Sequence, residues 1–331
     1  MRSRQASRPY SCSVVRAFAL LATLAGLCAP LTPASAQWID YPTHGGPRTK
    51  GGAPDLTAKA PRTHEGRPDL SGVWYAAEVP PEGTFDFTVL PPELVADAMK
   101  AGAFPPGPPP DDPCLKGGCI TQEPFPLDGA NMGRSLPGKT LPYQPWARQF
   151  VLQQMAVMSK DDPHARCVPP SYPRAFSLPQ HWKIVQTKEL IVLLHEFNAS
   201  YRQIFLDGRP LPVDPQPGWN GYSTAHWEKD TLVVQTAGFR DNLWLDILGS
   251  PLTSAARVTE RFQRVNYGTL NIQVTVDDPR AYTEPWTVTL QERLVPNTDL
   301  LEDICIENER SNRLLDDDGK SRQSITHEDR P

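Results

Sequence analysis

Val258 to Phe262 reads VTERF, and in an extended strand Val258, Glu260 and Phe262 share one face. A carboxylate in the middle of an apolar face has three explanations. It is solvated, it pairs with an arginine such as Arg202 or Arg264, or it sits in a pocket that raises its pKa towards neutrality and suits it to proton transfer. Two histidines lie in comparable settings. His195 follows Ile191 and Leu193 on one face of ELIVLLHEF, and His226 shares a face with Tyr222 and Thr224 in YSTAHWEKD. Each is a candidate proton carrier beside Glu260, and each is equally a candidate for a structural ring. Arg202, in YRQIF, shares a face with Ile204 and Leu206, and an inward arginine normally has a carboxylate nearby.

A second set of residues suits binding. Trp244 and Asp246 in NLWLDILG, with Tyr282 and Trp286 in VDDPRAYTEPW, fall on connections between strands. With Arg202 and Tyr222 they form the expected ligand-binding set, because aromatics with a few charges fit a flat or hydrocarbon ligand. The same residues also serve to close the end of a barrel. No glycine-rich phosphate loop, GxSxG elbow, HExxH or EF-hand loop is present, so no cofactor is expected.

The chain opens with Arg2, Arg4, Arg8 and Arg16, then AFALLATLAGLCAPL, then TPASA before Gln37. That order predicts a signal peptide over residues 1–36, cleaved after Ala36, and a periplasmic or secreted protein. The apolar run falls short of the about 20 residues of a transmembrane helix, so no stable membrane insertion is expected. Without those four arginines, 29 basic face 38 acidic residues, a formal charge of −9. Such a field disfavours nucleic acid and leaves a small hydrophobic molecule as the expected partner; oligomeric state is left open.

Four cysteines remain after cleavage: Cys114, Cys119, Cys167 and Cys305. An even count in an exported protein predicts disulfides, and the spacing CLKGGC favours a Cys114–Cys119 clip that leaves Cys167 to Cys305. The competing zinc reading lacks a companion CxxC or HxxxH, so no metal is expected.

The elements that position these residues are mostly strands. Residues 37–68 are rich in Gly, Pro, Thr and Lys without periodicity and read as a poorly ordered arm. PDLSGVWYAAEV gives the first strand. A proline-rich insertion over 80–180 follows, with two helices in PPELVADAMKAG and QPWARQFVLQQMAVMSKDD. From Trp182 on, hairpins follow one another, bringing the count to about nine strands. A long antiparallel meander closes on itself to remove its edges. The predicted fold is all-β: a single antiparallel meander barrel over 69–310, with the insertion wrapped outside it and a polar tail over 311–331.

GVW at Gly72 to Trp74 resembles the Gly-x-Trp opening of lipocalins and related calycin barrels, which implies that Trp74 plugs a closed end. DGRPLP, WNGYSTAHWEKDTLVVQTAGF, TERFQRVNYG, VDDPRAYTEPW and LLEDICIENE together resemble a large group of exported bacterial proteins of unassigned function. In that group's pattern, histidines stand where this chain has Leu211 and Leu252. The reading that follows is an exported small-molecule-binding barrel, leaning to a cofactor-independent lyase or isomerase that uses Glu260 with His195 or His226. A non-catalytic carrier of a hydrophobic ligand and a structural envelope protein are the alternatives.

Overall fold

A computed structural model describes residues 45–79, 87–100, 126–157 and 159–308. The predicted signal peptide, the tail over 311–331, and Cys114 with Cys119 lie outside the described residues.

Nine strands close into a barrel. In order round the wall they are β1 (Gly72–Ala76), β2 (Trp182–Gln186), β3 (Leu190–His195), β4 (Ser200–Phe205), β5 (Tyr222–Glu228), β6 (Thr231–Ala237), β9 (Arg257–Arg264), β10 (Thr269–Asp277) and β11 (Trp286–Leu294), with β11 paired to β1. A two-stranded ribbon of β7 (Leu243–Trp244) and β8 (Pro251–Leu252) stands apart between β6 and β9. The alternation in the sequence is the cause of the wall: along β11, WTVTLQERL is buried and exposed by turns without exception.

The meander is antiparallel everywhere but at one place. β4 and β5 run parallel, paired only at Ile204–Ser223 and Phe205–Thr224. Geometry requires this: a closed ring with an odd number of strands cannot alternate direction all the way round. The connection over residues 206–221 carries the chain back along the barrel to allow the parallel step.

One end of the barrel is sealed. Trp74 is fully buried, and its indole nitrogen donates to the carbonyl of Leu70 at 3.1 Å. The Arg264 guanidinium lies 4.9 Å over that ring and donates to the carbonyls of Asp69 (2.6 Å), Ser71 (3.1 Å) and Tyr267 (2.6 Å). Gly72 is required here, since at φ 146° a Cβ would sit 2.5 Å from a Leu294 methyl.

Two expectations change. Residues 45–68, read as a poorly ordered arm, form two hydrogen-bonded turns against the sealed end, where Tyr267 N donates to Ala58 O and Gly268 N to Leu56 O. The insertion does not stay outside. Its helices Pro92–Lys100 and Pro145–Ala156 pack in a separate apolar cluster with Leu94, Ala98, Val151, Met155 and Leu248. Its last part turns inward, and Phe176 packs against the lumen residues Trp182 at 4.8 Å and Phe262 at 5.8 Å. The disulfide Cys167–Cys305, with a Cα–Cα distance of 5.5 Å, ties this inward segment to the end of the chain.

Candidate functional site

Glu260, Val258 and Phe262 do face the lumen together, each no more than 1 % exposed. The carboxylate is held by Arg202: Nη1 donates to Oε1 at 2.9 Å and Nη2 donates to Oε2. The arginine partner, out of the three explanations, is the one present. The rest of the guanidinium is used as well, with Nε donating to Ser223 Oγ at 3.0 Å and Nη2 to Thr236 Oγ1 at 2.8 Å. One side chain of β4 thereby touches β5, β6 and β9. Since β4 and β5 share only two backbone pairs, this fork bridges the weakest part of the wall.

His195 is buried, and both its nitrogens are occupied. Nε2 donates to Ala175 O at 3.0 Å and Nδ1 accepts from Phe197 N at 3.1 Å. Burial draws its pKa down to about 4, so the ring is a neutral spacer between the wall and the inward segment. His226 is on the outside of the barrel, with 58 % of its side chain exposed, beside Glu228 at 3.3 Å. Tyr222 shares that outer face, stacking on Phe205 and accepting from Arg209 at 3.1 Å. The two residues share a face as alternation requires, but it is the outer one: Ser223 and Ala225 between them look inward.

Trp244, Asp246, Tyr282 and Trp286 gather at the end opposite Trp74, none more than 5 % exposed. Asp246 accepts from Met132 N (3.0 Å), Leu248 N (3.1 Å), Ser250 N (3.1 Å) and Ser250 Oγ (2.7 Å). Burial pushes its pKa up despite these donors. The Tyr282 hydroxyl donates to Pro251 O at 2.7 Å, and its ring stands edge-on to Trp286 at 5.5 Å. Trp244 meets Phe150 edge-on at 5.7 Å. These contacts close the end, the second of the two uses foreseen for such residues. Leu252 is buried in the ribbon opposite Leu243, and Leu211 is half-buried in the connection between β4 and β5.

Glu292 escaped the sequence reading. It is fully buried in the lumen, where Trp182 Nε1 donates to it at 3.2 Å, and burial pushes its pKa well above the usual carboxylate range. Its signal was the one that exposed Glu260: Val288, Leu290, Glu292 and Leu294 alternate on one face. Nearby, the Tyr172 hydroxyl is buried without a hydrogen-bond partner. Burial pushes that phenol's pKa up as well; Arg202 opposes the rise, and Glu260 and Glu292 add to it.

A cavity of about 340 Å³ opens at the sealed end. Arg264, Lys183, Asp69, Asp299, Tyr267 and Leu294 are among its walls. Lys183 and Asp299 face each other at 3.9 Å. Arg264 hydrogen-bonds to backbone carbonyls and lies over the rings of Trp74 and Tyr267; burial draws its pKa down to about 10 against the upward pull of the nearby Asp69 carboxylate. Among the described residues no group of three His, Cys, Asp or Glu side chains is placed to hold a metal ion, and no helix is long and apolar enough to cross a membrane.

No family model, curated protein or solved structure matches this chain.

Proposed function

We propose that the protein is an exported barrel that binds a small molecule in the sealed-end cavity and does no acid–base chemistry at Glu260. The observation that carries this reading is the pairing of a cavity of suitable size with an arginine that faces no carboxylate across a bond. Lys183 adds a second cation, while Tyr267 and Leu294 supply apolar surface. This combination suits a compact ligand with a carboxylate at one end and a hydrocarbon part at the other. Lumen binding is less well supported, because Phe176 and Tyr172 take up that space.

The test is native mass spectrometry of the protein as purified, beside a Thr298→Trp variant that fills the cavity. A bound small molecule in the wild type that disappears from a variant with an unchanged melting curve is expected. A molecule retained equally by both proteins, or none bound to either, removes the proposal.

A second reading rests on Glu292. A carboxyl whose pKa burial raises, inside the barrel with the unpartnered Tyr172 hydroxyl near it, is an arrangement from which a lyase or isomerase would donate a proton. Glu292→Gln should then leave a bound molecule in place and stop its conversion; equal conversion by both proteins excludes this reading.

A further inference from the structure

The two turns before β1 are copies of one another. Pro47-Arg48-Thr49-Lys50-Gly51-Gly52-Ala53-Pro54-Asp55-Leu56-Thr57 is followed, fourteen residues on, by Pro61-Arg62-Thr63-His64-Glu65-Gly66-Arg67-Pro68-Asp69-Leu70-Ser71. Proline, arginine, threonine, glycine, proline, aspartate and leucine recur in place, and a hydroxyl residue ends each copy.

The copies also fold alike. Thr49 N donates to Ala53 O and Thr63 N to Arg67 O, both at 2.8 Å; Gly52 N donates to Thr49 O and Gly66 N to Thr63 O, both at 2.9 Å. Asp55 N reaches Pro47 O as Asp69 N reaches Pro61 O. In each copy the arginine curls back so that Nη1 donates to the glycine carbonyl, at 2.8 Å from Arg48 and 2.7 Å from Arg62. That bond leaves the other guanidinium nitrogens of each arginine for other partners.

The copies differ in what the fork holds. Arg62 grips Asp230 at the tip of the β5–β6 hairpin, Nη1 to Oδ1 at 3.0 Å and Nη2 to Oδ2 at 2.6 Å. Arg67 adds a bond to Lys229 O at 3.3 Å and lies 6.0 Å over Trp227. Arg48 has the same internal bond, is exposed, and meets no carboxylate among the described residues. Lys50, also exposed, stands two residues away.

We propose that the first turn is a docking site for an aspartate at the tip of a β-turn on a partner protein, gripped by Arg48 as Arg62 grips Asp230. The second copy is the template for the contact, and charge fixes the sign of the partner. Ala53 in the place of Arg67 removes the stacking arm, so the contact is a weak one that serves as part of a larger surface.

A disulfide-cyclised peptide of residues 222–237, whose tip is Glu228-Lys229-Asp230, is the probe. Titrated into the whole protein at low ionic strength, it should shift the backbone amides of Thr49 and Gly52 in nitrogen–proton spectra. Arg48→Ala, or Asn in place of Asp230 in the peptide, should weaken binding about five-fold or more. Arg48→Lys, which keeps charge and loses the fork, should fall between. Shifts that ignore Arg48→Ala, or none at any peptide concentration, overturn the proposal and leave Arg48 a solvated side chain. An Arg48-dependent dimer in sedimentation also overturns it, by making the occupant a second copy of this chain.

Discussion

Arg202 and Glu260 meet two-on-two inside the barrel, joining β4 to β9 across the parallel pairing of β4 with β5. The side chains are 2 % and 0 % exposed, and every remaining direction of the guanidinium carries a hydroxyl or the Tyr172 ring. A pair so enclosed is a fastening.

Removing one partner strands the other without water. Glu260→Gln should therefore cost about 3–5 kcal/mol of stability in urea unfolding. Arg202→Met with Glu260→Leu, which removes both charges, should recover much of that loss. A single substitution with no measurable cost would show that the seam holds without its fork.

Glu292 gives a pH dependence of defined sign. Its pKa is raised on folding, so the native state binds the proton more tightly than the unfolded chain does. Stability then falls as pH rises from the unfolded value of about 4.3 towards the folded one. Glu292→Gln keeps an acceptor for Trp182 Nε1 and removes the titration. Its melting temperature should exceed that of the wild type by about 3 °C at pH 8 and match it at pH 4. Parallel curves across that range would contradict a raised pKa for Glu292.

The histidines work in the opposite direction. His195, drawn to about 4, and His164, drawn to about 3, both chiefly by burial, are neutral when folded and charge more readily when unfolded. Their contribution is fully present above the unfolded value of about 6.5 and is lost as pH falls towards the folded values. His195→Gln should flatten the acid limb of the stability profile by up to about 3 kcal/mol at pH 4. An unchanged limb would place the acid sensitivity elsewhere.

The Cys167–Cys305 bridge spans 138 residues of sequence. Cys305→Ser should lower stability by about 4–5 kcal/mol in the chain-entropy account. Wild-type protein unfolded under reducing conditions should show the same loss, and the variant should be insensitive to the reductant.

What the sequence made legible was whatever depends on a period of two. Most of the strands, the two principal hairpin turns, the inward faces of β4 and β9 and an arginine partner for Glu260, with Arg202 and Arg264 both open, follow from alternation and from the expense of an unpaired buried charge. Alternation alone does not say which face of an isolated strand points inward, so His226 and Tyr222 were assigned to a lumen they do not reach. Nor does it report on a segment that enters a barrel from the side of its own insertion, because Phe176 sits in a short turn with no period at all. The tandem turns were missed for a related reason: their regularity is one of identical residues fourteen apart, in a stretch with too few apolar side chains for any hydrophobic pattern.

The ring closes by pairing β1 with β11, residues 74–76 with residues 292–294. The first strand made therefore waits for the last. Until Trp286–Leu294 has been synthesised, β1 and β10 each offer an open edge to any neighbouring chain, and contacts of such long sequence separation form slowly. A chain cut short before Trp286 is thus a candidate for clumping, whatever the quality of the eight strands it already has.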